Sequence, residues 1–489
     1  MNSVRFRALT ALLLMVAPLV AGCGAATGSG PEGAAVAPAS AYVFVSVNTD
    51  FGSSQWKAAG DLVDKFPDGH KAVDFLVKEL SSNGVDFSKD VKPALGPETD
   101  VVGLTLSGQN QGSFVGLTKP DDPAKLKALL SKSDQKVVTR EIEGWTAFAD
   151  NEAALDLFEK ERSSGTLDGN ADFQDSMSQV DENGLVRVYV NTTMLQKELQ
   201  NQPQLFPGTF PGGTVPSFAV SATPESGGLR IKGAEKLTSD QAGSVPDQFT
   251  ADFPGQVPAG ALVYLDFNDL GSALKAFRDA AAQANPNFDR DLAQIESQIG
   301  ISLDDDVLPL FGGETALYVR QGFLIPEVTL VTHVEDEQKA MATIDKLVGA
   351  LHQYIPTAPA AQSTEIDGVK AKEVPISPPF SLFYAAFDGK LVLTSAREGI
   401  AALRSHDDRL SDDADFKKAL DDAGVPDETS GFGYLNLKAG LPYVLGFAGA
   451  AGGAIPSEVS SNIEPLKSLV FYGAKDGSTL RFTAFLAVD

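Results

Sequence analysis

The sequence is almost without cysteine: one, Cys23, in 489 residues. No intrachain disulfide can form, so the chain folds without needing oxidation. Histidine is nearly as sparse, at four, which leaves little for a multi-histidine metal site. Basic charge is also short. The 39 Lys and Arg face 65 Asp and Glu, for a formal charge of −26. A surface of that sign repels phosphates, so neither nucleic acid nor an anionic headgroup layer is expected as the main partner. Beyond the N-terminus no apolar run reaches the ~18 residues of a spanning helix. Catalytic signatures are missing as well: there is no His-Glu-x-x-His, Gly-x-Ser-x-Gly, Walker loop or dinucleotide fingerprint. What is present is ordinary globular composition, 43% hydrophobic and 21% charged, with enough apolar content for a sizeable core.

The N-terminus has the three parts of an export signal. Arg5 and Arg7 give a positive start, and Ala8 to Ala21 is apolar but too short to span a bilayer. It ends in Val20-Ala21-Gly22-Cys23, which resembles a bacterial lipobox. That resemblance implies cleavage after residue 22 and a diacylglycerol with palmitate-type chains on Cys23. Two chains, at ~0.8 kcal/mol per buried methylene, would anchor the protein to the cell membrane on its extracytoplasmic face. Residues 23–37 are Gly/Ala-rich and are expected to be a flexible tether after the lipidated Cys.

An ordered set of internal matches follows. Pro38-Ala-Ser-Ala41 answers Pro258-Ala-Gly-Ala261, each opening an apolar strand. Asp90-Val-Lys-Pro93-Ala-Leu-Gly96 answers Asp306-Val-Leu-Pro309-Leu-Phe-Gly312, with Glu98 and Glu314 just beyond. Ala171-Asp-Phe173 answers Ala414-Asp-Phe416, and Tyr189-Val-Asn191 answers Tyr434-Leu-Asn436. The matches are collinear. They imply two related domains, 38–247 and 254–489, each a mostly antiparallel sheet with packed helices. The spacing predicts helices near His70–Ser81, Asp122–Lys132, Phe288–Ser297 and Glu335–Tyr354, and closing hairpins at Ser217–Ala222 with Leu229–Ala234 and Ser468–Gly473 with Thr479–Ala487. The fold class is therefore α+β. The Pro-Ala-x-Ala strand, the Asp-x-x-Pro-x-x-Gly segment and the Cys23 signal together resemble bacterial envelope proteins of the domain-of-unknown-function family 3352, over most of residues 38–489. The resemblance implies a surface or membrane-associated protein with no assigned reaction and no catalytic residue to carry over.

Several patterns invite chemistry. Ser54-Gln-Trp-Lys57 and Ser272-Ala-Leu-Lys275 match the Ser-x-x-Lys of penicillin-recognising enzymes, but no Lys-Thr-Gly strand accompanies them, and Ser at a helix start is a normal cap. Asp304-Asp305-Asp306 and Asp168-Gly-Asn170-Ala-Asp172 resemble fragments of a calcium loop. Adjacent aspartates point in different directions, and Phe173 stands where such a loop needs Gly, so turns and caps are expected and no metal. Glu98 and Glu314 recur singly, one per half and without a neighbouring His, which suits structure better than an acid–base pair. His70, His333, His352 and His406 fall in unrelated contexts.

The halves diverge most at Asn201–Pro216 and Leu441–Pro456, both apolar, Gly/Pro-rich and expected as weakly structured loops. Leu205, Phe206, Phe210, Tyr443, Leu445 and Phe447 are the candidate contacts there, either a lid over an apolar pocket or a patch facing a partner, unless they pack back on their own domains. The expectation is a lipid-anchored, non-catalytic envelope protein without cofactor. It would bind an apolar ligand or a protein partner at the domain junction or through these loops. The alternative is an envelope scaffold with no small-molecule ligand; a hydrolase is disfavoured.

Overall fold

The structure is a computed structural model that describes residues 30–82, 84–106, 113–132, 136–200, 215–285, 287–322, 325–354, 359–377, 379–405, 408–450 and 455–489. Among the described residues, eighteen strands form one sheet. In chain order they are β1 (Val43–Asn48), β2 (Glu98–Thr105), β3 (Ser113–Thr118), β4 (Val138–Ile142), β5 (Trp145–Ala149), β6 (Val186–Asn191), β7 (Ser217–Glu225), β8 (Gly228–Lys236), β9 (Ala261–Phe267), β10 (Thr315–Arg320), β11 (Glu327–His333), β12 (Gln362–Ile366), β13 (Val369–Ser377), β14 (Phe380–Phe387), β15 (Lys390–Thr394), β16 (Gly431–Asn436), β17 (Leu466–Asp476) and β18 (Thr479–Val488).

Every pairing is antiparallel. The first half runs β4-β5-β3-β2-β1-β6-β7-β8. It joins the second through β8·β18, and the path continues β17-β16-β9-β10-β11-β15-β14-β13-β12. Read outward from β8·β18, the two halves pair in the same order, and the second adds the β12·β13 hairpin at its far edge. Tight turns at Glu143-Gly144 and Asp388-Gly389 sit at matching places, with positive φ at both residues of each. That is the twist-compatible geometry of a two-residue hairpin loop.

The sheet is covered on both faces, which is why its strands read as apolar runs rather than strict alternation. On β1, Phe44 faces one core with Phe173 and Tyr189, while Val45 and Val47 face another with Ala59 and Leu62 of the helix Ser54–Val63. The helix Ala171–Met177 crosses β6, β7 and β8, and Ala414–Ala423 crosses β16, β17 and β18 in the same way. The recurring sequence motifs meet in space. Phe173 packs edge-on against Tyr189 at 5.0 Å and Phe44 at 5.9 Å; Phe416 does the same with Tyr434 at 5.1 Å and Tyr264 at 6.0 Å. Asn191 and Asn436 each cap the helix that follows them, accepting from the N–H of Met194 and of Ala439.

Two expectations need correction. Residues 31–37 are not tether: Glu32–Ala35 forms a 3-10 turn, and Ala34, Val36 and Ala37 are buried in the first half's core. Small residues there are packing residues, since only they fit between the turn and β2. Residues 441–450 are not loop either. The helix Leu437–Ala450 runs through Pro442 and packs on β9, β16 and β17. Its apolar contact with the sheet outweighs the propensity cost of its Gly and Pro residues.

Candidate functional site

The recurring acidic residues find structural roles first. Asp90 and Asp306 each accept a hydrogen bond from the backbone N–H four residues earlier, of Asp86 at 2.7 Å and of Ser302 at 2.9 Å. In both cases this closes a single π-helical turn, Phe87–Val91 or Leu303–Val307. Asp304 pairs with Arg278 at 3.2 Å, and Asn170 caps the helix Ala171–Met177. Among the described residues no three His, Cys, Asp or Glu converge for a metal. The Ser-x-x-Lys matches sit at helix starts, but the caps are Ser53 and Asp269, one and three residues ahead of the matched serines. Lys275 is tied to Asp279 at 2.8 Å.

Glu98 and Glu314 hold corresponding turns. Glu98 Oε1 accepts from the N–H of Gly33 at 2.9 Å, and Glu314 Oε1 accepts from Asp252 and Phe253, both at 2.8 Å. The Glu therefore anchors a 3-10 turn, Glu32–Ala35 or Phe253–Gly255, against the sheet in each half. Gly33 and Phe253 are thus equivalent positions, as are Asp100 and Ala316 two residues after each Glu.

Beside each Glu lies a second carboxylate, on a different strand in each half. In the first half it is Asp100 on β2, opposite Ser46 of β1; in the second it is Asp266 on β9, opposite Ala316 of β10. Both are fully buried. Burial, reinforced by Glu98, raises Asp100 well above the usual carboxylate range; burial, reinforced by Glu314, pushes Asp266 up to about 8. The Tyr264 hydroxyl donates to Asp266. Asp100 faces Ser46 and Glu98. Arg187 on β6 stands 3.4 Å from Glu98, and burial lowers its own pKa. A β-carbon on Gly33 would lie 1.8 Å from Asp100 Oδ2, so the turn can approach only as glycine.

Beside this arrangement opens a cavity of about 900 Å³, bounded by Gly30–Glu32, Ala34, Ala35, Lys119, Trp145, Phe173, Gln174, Met177, Val180 and Arg187. Its size lies near the top of the ~300–1,000 Å³ range of small-molecule sites. The second half places Phe253 and Phe432 where the first has Gly33 and Arg187. Phe253 stacks on His333 at 4.4 Å, and Phe432 lies 5.6 Å from Tyr264. The joint between the halves carries a smaller cavity of about 370 Å³, lined by Lys65, Lys418, Lys438, Lys467, Asp415, Asp422 and Asp489 among others. Its charged walls do not suit the apolar ligand expected at the junction.

Of the sequence candidates, Cys23, Leu205, Phe206 and Phe210 lie outside the described residues. Tyr443, Leu445 and Phe447 share one helix. Tyr443 meets Phe447 edge-on at 5.0 Å, and its hydroxyl donates to the carbonyl of Gly322 at 3.3 Å. Leu445 is half-buried and Phe447 exposed. The residues that shape the large cavity were missed. The available signal was a charge set inside an otherwise apolar strand, as in Val186-Arg187-Val188 and Leu265-Asp266-Phe267.

The arrangement belongs to a class with no assigned chemistry. The model of a family described as "Protein of unknown function (DUF3352)" matches residues 152–488, more than half of the chain, and the chain belongs to that family. No curated protein matches it. Two crystal forms of TP0453 align at 13% and 14% identity over 46% and 48% of this chain and 74% and 80% of that one, each with a TM-score of 0.24, too low to bear on fold or function.

Proposed function

We propose that the chain is a lipid-anchored, extracytoplasmic envelope protein without catalysis, built of two related domains, that binds an apolar small molecule. The observation that carries this reading is the 900 Å³ cavity in the first half, walled by Trp145, Phe173 and Met177. The matching place in the second half holds Phe253 and Phe432. The two halves differ at its wall: Arg187 lines the cavity in the first half, and the corresponding Phe432 is buried beside Tyr264 in the second.

The test is native mass spectrometry of a chain beginning at Gly24, purified from the native envelope, with lipid extraction of the same sample. Beside it stands the triple variant Gly33→Phe/Asp100→Ala/Arg187→Phe, which gives the first half the second half's residues. A co-purifying apolar molecule on the wild type and none on the variant supports the reading; a bare mass and an empty extract for both would refute it. The anchor has its own test. Cys23→Ser should abolish acyl labelling and release the protein from the membrane fraction, and unchanged labelling would remove the anchor.

One observation favours a second reading, an envelope scaffold. Phe277 is 72% exposed on the helix Leu270–Ala284, with Ile295 exposed on the neighbouring helix Phe288–Ile299. A bare cavity with loss of partner capture by Phe277→Ser would favour it.

A further inference from the structure

We propose that one end of the second half dips into the lipid of a bilayer surface, through the helix Leu437–Ala450 and the tip of the β13–β14 hairpin. The proposal takes only the membrane location from the reading above, and nothing from the cavity. Three segments meet at this end. β16 runs directly into the helix Leu437–Ala450. Tyr443 on that helix bonds both the N–H and the carbonyl of Gly322 in the β10–β11 turn, each at 3.3 Å. Ser395, just past β15, ties down the same turn. Its hydroxyl accepts from the N–H of Val328 at 2.9 Å and donates to the carbonyl of Pro326 at 3.2 Å. β14 pairs with β15 at Phe383 and Thr394, so the residues before Phe383 extend past Ser395. They form the tip of the hairpin, where Ser377 stands opposite Phe380.

Each segment exposes large apolar side chains. Ile376 and Val444 are 59% and 61% exposed, and Val328, Phe380 and Phe447 are exposed as well. Val444 and Phe447, three positions apart, share one face of their helix. None of the five lines either cavity described above. Charge is missing from the same places. No charged residue stands between Arg320 and Glu327, between Glu373 and Asp388, or between Lys438 and Glu458. Arg320 and Glu327 neutralise each other at 2.8 Å. In a chain that is 21% charged, this leaves one end without the hydration that charge gives the rest of the surface. The chain as a whole carries −26 and is repelled by anionic headgroups, whereas this end can enter the outer ~5–10 Å of a leaflet without that cost. Shape decides the occupant. A hairpin tip and a helix flank project, so a second copy or another folded protein would have to offer a matched hollow for each, while lipid flows around them.

The test uses the chain beginning at Gly24, which has no acyl group and no cysteine. Ser377→Cys then gives a single thiol at the hairpin tip for an environment-sensitive fluorophore. The labelled chain is mixed with an excess of phosphatidylcholine vesicles. The expected result is flotation with the vesicles, a blue-shifted emission and quenching by lipid that carries a spin label high on its acyl chain. Ile376→Ser/Phe380→Ser/Val444→Ser/Phe447→Ser should weaken flotation more than about tenfold, because transfer of each apolar side chain into lipid is favourable. The smaller change Ile376→Ser/Phe380→Ser, confined to the hairpin tip, should weaken it about threefold or more with an unchanged melting temperature. No flotation overturns the proposal. So does flotation without a shift at residue 377, which places the contact elsewhere, and so does binding that needs phosphatidylglycerol and is lost in high salt, which makes it electrostatic. A photocrosslinker at residue 377 that joins to a protein rather than to lipid in the native envelope also overturns it, in favour of a protein partner. Because this chain has neither anchor nor acyl group, failure here is distinct from failure of Cys23 labelling or of ligand co-purification.

Discussion

The first half keeps a glycine, a buried aspartate and an arginine where the second half has a phenylalanine, an alanine and a second phenylalanine. Around these differences the framework is the same. Both halves have the Glu-anchored turn, the capping Asn and the aromatic trio on Phe173 or Phe416. Both also have the bonded threonine pair, Thr99 with Thr118 and Thr315 with Thr332. The shared contacts are those that fix strand order and helix placement. The exchanged ones alter what fills the space between the turn and the sheet, Asp100 against Gly33 in the first half and Phe253 in the core of the second. A buried acid persists in both halves yet sits on opposite strands of the same pair, so its side of the ladder is free to vary while a protonatable group near the Glu is kept. The comparison separates residues that specify the fold from residues that set how the turn packs on the sheet.

Five substitutions sharpen or break that comparison. Phe253→Ala should open the second half and cost the most, ~3–5 kcal/mol for a large buried aromatic, read from denaturant melts. A loss within error would mean that Phe253 does not fill a core position. Gly33→Ala should cost ~1–3 kcal/mol by overpacking. The loss should shrink in an Asp100→Ala background, because the clash is with that carboxylate; a double-mutant cycle with no coupling would break the equivalence drawn between the two turns. Asp266→Asn should change the pH dependence of stability. With its folded value near 8 and its ordinary value at 3.8, Asp266 keeps a proton on folding that the unfolded chain releases. Its stabilising contribution is full below about pH 4 and is lost as the pH rises towards 8. The variant should show a flatter fall in melting temperature between pH 5 and 8, and an unchanged slope would point to other groups. Asp90→Asn and Asp306→Asn should give the smallest effects, and equal ones, since each carboxylate closes the same turn. A clear inequality in paired melts would show that the two turns bear different loads.

Much of the framework was legible because it repeats. A Phe, a Tyr or an Asn that returns in order has a constant neighbour, and the structure shows the neighbour to be another member of the set. The antiparallel pairing and the closing hairpins followed from short strands and turn residues. The two errors share a cause. The local preference of Gly and Ala in residues 31–37, and of Gly and Pro in residues 441–450, points to loop, whereas tertiary contact uses them for close approach in one case and for a helix against the sheet in the other. The cavity was not legible. Its walls come from segments far apart in sequence, among them Pro31, Lys119, Trp145, Phe173 and Arg187, and no local pattern marks their meeting.

The strand β18 is the one that closes the sheet. It lies between β17 of its own hairpin and β8 of the other half, along almost its whole length. Until Thr479–Val488 is in place, β8 and β17 are both open edges, with their backbone donors and acceptors unpaired over nine or more residues each. Loss of this strand would therefore create two adhesive edges in one molecule, and two edges suffice to link copies end to end.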